Sequence, residues 1–241
     1  MEYGLQLYSV RDLTEQDFEG ALREVARLGY KFVEFAGFFG YSAKEVREML
    51  DRYGLKVSGA HTGLGELTLD KLEETIAYHK ALGNTSIIIP WWDFPTSEKL
   101  EELITALNEI QPRLAAEGIR LGYHNHAQEF RPMSCGGCAF DALAARTAVE
   151  FEIDTYWAYA AGVDPIALLE RLGDRARVIH LKDGLADGSG RALGEGTAPV
   201  EAVRAYAIEK GLAMVVESET CDPSGIEEVG RCIRYLNALE A

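Results

Sequence analysis

Two kinds of hydrophobic pattern alternate along the chain. In segments 17–29, 42–54, 70–83 and 97–118, apolar residues lie three and four positions apart, which predicts amphipathic helices. Short runs rich in β-branched and aromatic residues follow such segments, often just after a glycine, and predict strands. One βα unit thus recurs about every 25 to 35 residues. The runs begin near residues 4, 31, 56, 86, 119, 149, 177 and 212.

Eight alternating units in 241 residues predict a closed (β/α)8 TIM barrel, an α/β fold, as a single domain over residues 1–241. Such barrels typically need about 250 residues. A doubly wound open sheet is the alternative, but no glycine-rich nucleotide-binding turn follows the first strand. We expect helices to be capped at Ser97 and Asp164. The glycine-rich segment 184–196 follows the seventh strand and is expected to form a long loop at the active face.

Composition and charge narrow the classes of function. Lys and Arg number 24 and Asp and Glu 39, so the formal charge is −15, which disfavours nucleic acid as a partner. No apolar run is long enough to span a bilayer, and the first residues lack the pattern of a secretory signal. We therefore expect no membrane partner and a cytoplasmic location. Four cysteines do not predict a disulfide framework, and Cys135 and Cys138 are expected to be ordinary loop thiols.

Residue types that carry chemistry fall at the predicted carboxyl ends of the strands, where TIM barrels build their active sites. They comprise four of the five histidines, all three tryptophans and several carboxylates: His61, His124, His126, His180, Trp91, Trp92, Trp157, Glu34, Asp154, Glu217 and Glu219. Side chains alternate between the two faces of a strand, so some of these residues point into the barrel. One layer lower, we expect Glu152 and Arg120 to form a buried structural ion pair.

Four inward residues come from the fifth to the eighth predicted strands: His124, Asp154, His180 and Glu217. Carboxylates confined together repel one another, and a divalent cation relieves that repulsion. Mixed oxygen and nitrogen ligands suit Mn²⁺, Co²⁺ or Zn²⁺, with Mg²⁺ as a further candidate. We therefore predict that these residues bind one divalent metal ion.

The chain also resembles the sugar phosphate isomerase/epimerase superfamily, the xylose isomerase-like TIM barrels. Relatives include inosose dehydratase, tagatose 3-epimerase and hydroxypyruvate isomerase. The resemblance rests on GLQLYSVRD, YHNHAQEF, IDTYWAYAAGVDP, HLKD, LGEG and VVESE. It implies one divalent metal held by Asp154, His180, Glu217 and a residue of the fifth strand. That strand normally supplies a glutamate, but His124 stands here, so His124 and Glu129 are both candidates for the fourth ligand.

The resemblance further implies proton transfer next to a carbonyl through a metal-stabilised enediolate. The expected activity is that of a sugar or polyol isomerase/epimerase with a small-molecule substrate; the alternative is a lyase that dehydrates a keto-inositol or keto-sugar. Expected catalytic residues are Glu217, Glu129, His126 and Lys182. Lys182 would stabilise an oxyanion, unless it serves only to pair with Glu217 or Glu219. Expected substrate contacts are Gln6, Tyr8, Glu34, His61, Trp91 and Trp157.

Other readings of the sequence have less support. An endonuclease-like DNA-repair enzyme shares the barrel but needs several zinc ions and a basic face, which the charge of −15 disfavours. A non-catalytic sugar-binding protein would not need a complete set of metal ligands, so the presence of the complete set disfavours this function. Only Arg191 supplies a cation in segment 184–196, so phosphorylated substrates are not favoured. The sequence leaves open whether the protein forms a homo-oligomer.

Overall fold

The computed structural model describes residues 1–134 and 136–240, and eight parallel strands of this part close into a barrel. Around the barrel, β1 to β7 follow one another in chain order, and β10 closes the gap between β7 and β1. β8 and β9 form a separate antiparallel hairpin. The strands are β1 (Gly4–Gln6), β2 (Phe32–Phe35), β3 (Lys56–His61), β4 (Ser86–Ile89), β5 (Arg120–His124), β6 (Glu150–Asp154), β7 (Ala176–Leu181), β8 (Asp183–Gly184), β9 (Gly190–Arg191) and β10 (Ala213–Val216).

Every barrel strand begins within one residue of its predicted start, and the TIM-barrel fold is confirmed. Helices surround the strands in alternation. They are α1 (Arg11–Thr14), α2 (Phe18–Leu28), α3 (Ala43–Tyr53), α4 (Leu72–Leu82), α5 (Ser97–Ala116), α6 (Ala139–Arg146), α7 (Thr155–Ala160), α8 (Pro165–Leu172), α9 (Val200–Lys210) and α10 (Gly225–Ala238). No helix in residues 1–134 and 136–240 is both long and apolar enough to cross a membrane.

Of the two predicted helix caps, one is confirmed and one needs a correction. Asp164 caps α8 as predicted, since its Oδ1 accepts the backbone N–H groups of Ile166 and Ala167 at 2.9 and 3.2 Å. The predicted cap at Ser97 is wrong by one residue. Thr96 caps α5 instead, and its hydroxyl accepts the backbone N–H of Lys99.

Three glycines on the inner face of the barrel make room for bulky neighbours beneath the site. A Cβ at Gly4 would lie 2.2 Å from the Phe32 ring, and one at Gly59 would lie 2.7 Å from Ile88 and 3.1 Å from a Glu34 oxygen. A Cβ at Gly122 would lie 3.3 Å from the same Ile88. Large apolar side chains therefore fill the lower barrel, and polar side chains are confined to the layers above.

The predicted buried pair between Arg120 and Glu152 is wrong. β5 and β6 pair with Gly122 opposite Glu150, which leaves Arg120 at the lower rim. Arg120 is exposed there, with its Nε 3.8 Å from Glu150 Oε2. Glu152 lies higher in the barrel, is buried, and contacts His61 instead.

The described cysteines Cys138, Cys221 and Cys232 are free thiols. Cys135, the other residue of the predicted pair of loop thiols, lies outside the described residues. Cys138 is half-buried at the start of α6 and makes no capping hydrogen bond through its side chain.

Candidate metal centre and substrate cavity

The four predicted metal ligands meet at the carboxyl ends of their strands. We call them the upper ligand group: His124, Asp154, His180 and Glu217. The strand register aligns Asp154 of β6 with His180 of β7, and Glu217 follows β10 directly. Each residue offers one ligand atom, and these four atoms all lie within 4.8 Å of one another.

Three distances within the upper ligand group are close to the spacing that a tetrahedral ion needs. His124 Nε2 lies 3.1 Å from His180 Nδ1 and 3.7 Å from Asp154 Oδ2. His180 Nδ1 lies 3.3 Å from Glu217 Oε2. Metal–ligand bonds of about 2.0–2.2 Å place tetrahedral ligands about 3.3–3.6 Å apart. The four side chains could therefore hold a divalent metal ion with little movement.

Two further observations support this fit. Asp154 Oδ2 is buried without a hydrogen-bond partner among the described residues, whereas Oδ1 accepts the Trp157 backbone N–H at 2.8 Å. A buried oxygen without a partner is costly, and a cation at the centre would satisfy it. Burial also lowers the pKa of His124 well below its usual value, which keeps this imidazole neutral and its lone pair free to bind metal.

Neighbouring residues fix the orientation of these ligands. The Asn125 amide accepts the Asp154 N–H at 3.1 Å and donates to the Asp154 carbonyl at 3.2 Å, so it joins the ends of β5 and β6. His180 Nε2 lies 2.9 Å from Glu34 Oε1, and we place its proton there because Nδ1 faces the other ligands. A carboxylate behind a histidine in this way orients the ring toward a metal.

A second group lies beneath the first and shares His180 with it. We call it the lower ligand group: Glu34, His61, Glu152 and His180. Burial opposes protonation of His61, but Glu34 and Glu152 outweigh it and raise the pKa of His61 to about 10. Gln6 adds a hydrogen bond from its amide to Glu34 Oε1 at 2.6 Å.

Two expected substrate contacts have protein partners in this arrangement. Gln6 and Glu34 are both buried, and neither lines the cavity above the upper ligand group. Gln6 also accepts the backbone N–H of Tyr8 at 3.0 Å, so protein groups occupy both ends of its amide. Binding of substrate hydroxyls by Gln6 and Glu34 stays a prediction.

Lys182 is the buried cation of the site. Its Nζ lies 2.7 Å from Glu219 Oε2, 3.2 Å from Glu217 Oε2 and 3.7 Å from Asp154 Oδ2. Burial disfavours the ammonium, but these carboxylates outweigh it and raise the pKa of Lys182. The ammonium also lies 4.9 Å from the centre of the Trp157 ring. Lys182 therefore does form the expected ion pairs, and it does so beside the metal ligands.

A cavity of about 360 Å³ opens directly onto the upper ligand group, a size typical of small-molecule sites. Its lining residues are Tyr8, Ala36, His61, Pro90, Trp91, His124, His126, Glu217 and Glu219. Tyr8 and Trp91 are about half exposed and form aromatic walls. A larger cavity of about 790 Å³ lies at the opposite rim, where Lys56, Arg120 and Ala213 begin their strands, away from both ligand groups.

Glu129 lies outside both ligand groups in this structure, and its expected roles as fourth ligand and as acid/base stay predictions. Its Oε1 accepts the Tyr123 hydroxyl at 2.9 Å and its Oε2 accepts the His126 backbone N–H at 2.8 Å. The carboxylate is buried among these partners and shapes the backbone at His126. His126 itself lines the cavity; burial lowers its pKa to about 3, so its ring is neutral.

Two residues of the site were missing from the expected set. Glu219 lines the cavity, and burial raises its pKa despite the nearby ammonium of Lys182. Its signal in the sequence is the alternation that places Glu219 on the same face as Glu217. Asn125 is the second, and it has no comparable signal because its amide contacts only the backbone of Asp154.

A parallel barrel with buried carboxylate and imidazole ligands above its core defines a class of TIM-barrel enzymes. The chain belongs to the xylose isomerase-like TIM barrel family, whose model matches residues 22–239. The resemblance predicted from the sequence motifs is thereby confirmed.

Similar proteins include dehydratases and an isomerase/epimerase. The inosose dehydratase of Geobacillus kaustophilus (strain HTA426) is 26% identical over 186 residues, which are 67% of this chain and 60% of that protein. The inosose dehydratase of Lacticaseibacillus casei is 27% identical over 198 residues, 70% of this chain and 64% of that protein. The crystal structure of a sugar phosphate isomerase/epimerase from Parabacteroides distasonis ATCC 8503 has a TM-score of 0.84 and 26% identity, and the match covers 98% of this chain and 97% of that chain. The chain therefore spans less than two thirds of the curated dehydratases.

Proposed function

We propose that the protein is a divalent-metal-dependent sugar or polyol isomerase/epimerase that moves a proton at the carbon next to a carbonyl. The observation that carries the proposal is the upper ligand group: four buried ligand atoms, mutually within 4.8 Å, at the floor of a 360 Å³ cavity. A divalent cation bound there would act as a Lewis acid toward a substrate oxygen.

Glu219 is the proposed base. It faces the cavity, its pKa is raised by burial, and the Lys182 ammonium 2.7 Å away holds its carboxylate in place. Glu217 is assigned to metal binding alone. Burial favours its neutral form, but Lys182 and His180 outweigh this and lower its pKa well below the usual value, which makes it a poor base.

His126 is the proposed catalytic partner of Glu219. It follows β5 whereas Glu219 follows β10, and these strands lie three positions apart around the barrel. The two side chains therefore approach a bound molecule from different directions. The neutral ring of His126 can donate a hydrogen bond to the substrate oxygen on which charge develops, and Glu219 can return the proton it removed to the same or the adjacent carbon. Trp91 and Tyr8 would pack against the C–H faces of the substrate, and His61 and Trp157 stay proposed substrate contacts.

Deuterium exchange tests this proposal. The Mn²⁺-loaded protein is incubated in D₂O with a panel of ketopentoses, ketohexoses and keto-inositols, and NMR follows deuterium at the carbon next to the carbonyl. We expect exchange in the native protein and a loss of about 10²–10⁴-fold in Glu219→Gln. The variant should bind metal normally, which serves as its control. Exchange at the native rate in Glu219→Gln would refute the role of this residue, and a metal-loaded protein inert toward the whole panel would refute the function.

Dehydration is a second candidate, because Glu219 faces the cavity and can carry one proton. Glu219 would take the proton next to the carbonyl, the C–H electrons would form a C=C bond, and the β-hydroxyl would leave as water with the proton that Glu219 returns to it. The similarity to inosose dehydratases agrees with this candidate. A dehydration product absorbs in the near ultraviolet as an enone, whereas exchange without this absorbance indicates isomerisation or epimerisation.

A further inference from the structure

The lower ligand group forms a closed ring of alternating nitrogen and oxygen atoms. His61 Nε2 lies 3.1 Å from Glu34 Oε1 and 2.7 Å from Glu152 Oε2. His180 Nε2 lies 2.9 Å from the same Glu34 oxygen and 3.2 Å from the same Glu152 oxygen. These four edges are slightly shorter than the 3.3–3.6 Å or so of a tetrahedral metal site. A modest outward movement would open a gap of ionic size at their centre.

Hydrogen bonds leave part of these two carboxylates without partners. Each Nε2 carries at most one hydrogen, and both face the same two oxygens. The Gln6 amide also donates to Glu34 Oε1. The two oxygens outside the ring, Glu34 Oε2 and Glu152 Oε1, are buried without hydrogen-bond partners among the described residues. Two adjacent buried carboxylates are costly unless positive charge compensates them, and protonated His61 supplies part of that charge when no metal is bound.

A divalent cation at the centre of the ring would replace the proton of His61 as the compensating charge. Two carboxylates, two neutral imidazoles and one dication form an electrically neutral unit, and two oxygen and two nitrogen ligands suit Zn²⁺ or Co²⁺. The route to the site runs past His61, whose side chain is 10% exposed and lines the 360 Å³ cavity.

We propose that the lower ligand group is a second divalent-cation site. His180 is common to both sites, since Nδ1 faces the upper ligand group and Nε2 faces the lower one. Occupation of both sites would require His180 to release its Nε2 proton to solvent, so that each ring nitrogen could face one cation. This inference concerns metal binding and does not depend on which reaction the cavity supports.

Cobalt stoichiometry tests the proposal. Metal-free protein is reloaded with Co²⁺ and dialysed, bound metal is counted by mass spectrometry, and visible absorption reports tetrahedral coordination. We expect two ions per chain in the native protein, one in His61→Asn, one in His124→Asn and none in His180→Asn. His79→Gln is the matched control: this buried histidine lies in α4, bonds Asn84, and should leave two ions bound.

The other outcomes separate this site from the proposed function. One ion in the native protein that is retained in His61→Asn but lost in His124→Asn overturns the lower site and leaves the proposed function intact. One ion in the native protein that is lost in His61→Asn but retained in His124→Asn supports the lower site and counts against the proposed function. Circular dichroism checks the fold of each variant. If His61→Asn does not fold, Glu152→Gln replaces it, with one ion as the supporting result and an unchanged count as the contrary one.

Discussion

Replacing Lys182 by methionine should destabilise the metal-free protein strongly. The ammonium is buried and lies within 4.0 Å of three carboxylates, so its removal leaves Asp154, Glu217 and Glu219 without their common counter-charge. Breaking a buried ion pair from one side costs about 3–5 kcal/mol. For a chain of this length each kcal/mol lowers Tm by about 2–4 °C, so the expected loss is about 6–20 °C.

The effect should depend on pH with a defined sign. In the native protein Lys182 is the main cause that lowers the pKa of Glu217, although burial opposes it. A carboxyl group with a lowered pKa stabilises the fold above its unfolded pKa of about 4.3, and this contribution disappears as pH falls through the folded pKa. The difference in unfolding free energy between the native protein and Lys182→Met should therefore be largest at neutral pH and shrink below about pH 4.3.

Urea denaturation at several pH values, with and without Co²⁺, measures this prediction. Added cation should recover part of the lost stability because it supplies positive charge to the same carboxylates. Lys71→Met is the control, since Lys71 pairs with Glu66 at 2.9 Å on the surface and should change little. If metal-free Lys182→Met unfolds at the same urea concentration as the native protein at neutral pH, the reasoning is refuted.

Three further predictions concern residues around the site. Asn125→Ala removes both hydrogen bonds to the Asp154 backbone and should lower the free energy of unfolding by about 1–3 kcal/mol in urea titrations, and weaken Co²⁺ binding. Asp183→Ala should speed proteolysis within 184–196, because the carboxylate accepts the backbone N–H groups of Gly184, Gly194, Gly196 and Ala198. Burial lowers the pKa of His79 to about 4, so the neutral ring stabilises the fold at neutral pH. As pH falls from 6.5 to 4, protonation of His79 in the unfolded chain should lower the free energy of unfolding by about 3 kcal/mol, and urea titrations of His79→Gln should lack this decrease.

The sequence predicted the barrel and the upper ligand group because both depend on simple periodicity. Strand alternation points Asp154 and His180 inward, and a parallel barrel brings successive strand ends together. The same alternation points Glu219 to the inner face beside Glu217. The sequence left open which of these two carboxylates pairs with Lys182. These predictions needed no knowledge of loop conformation.

The errors concern register and loops, which periodicity does not define. Arg120 and Glu152 share an inward phase, but the stagger between β5 and β6 sets them at different heights. Glu129 follows the end of β5, where the chain turns outward to meet the Tyr123 hydroxyl. Gln6 and Glu34 lie at the predicted strand ends, but both are buried and neither lines the cavity.

Asp183 carries a consequence for how such enzymes diversify. One carboxylate gathers the amides of residues 184, 194, 196 and 198, so the glycine-rich loop is fastened at its base to the end of β7. The tip of that loop, residues 185–189 ahead of β9, should accept insertions or new side chains while Lys182, one residue before the anchor, keeps its place. Loop tips grafted from relatives between residues 185 and 189 should therefore leave the upper ligand group undisturbed.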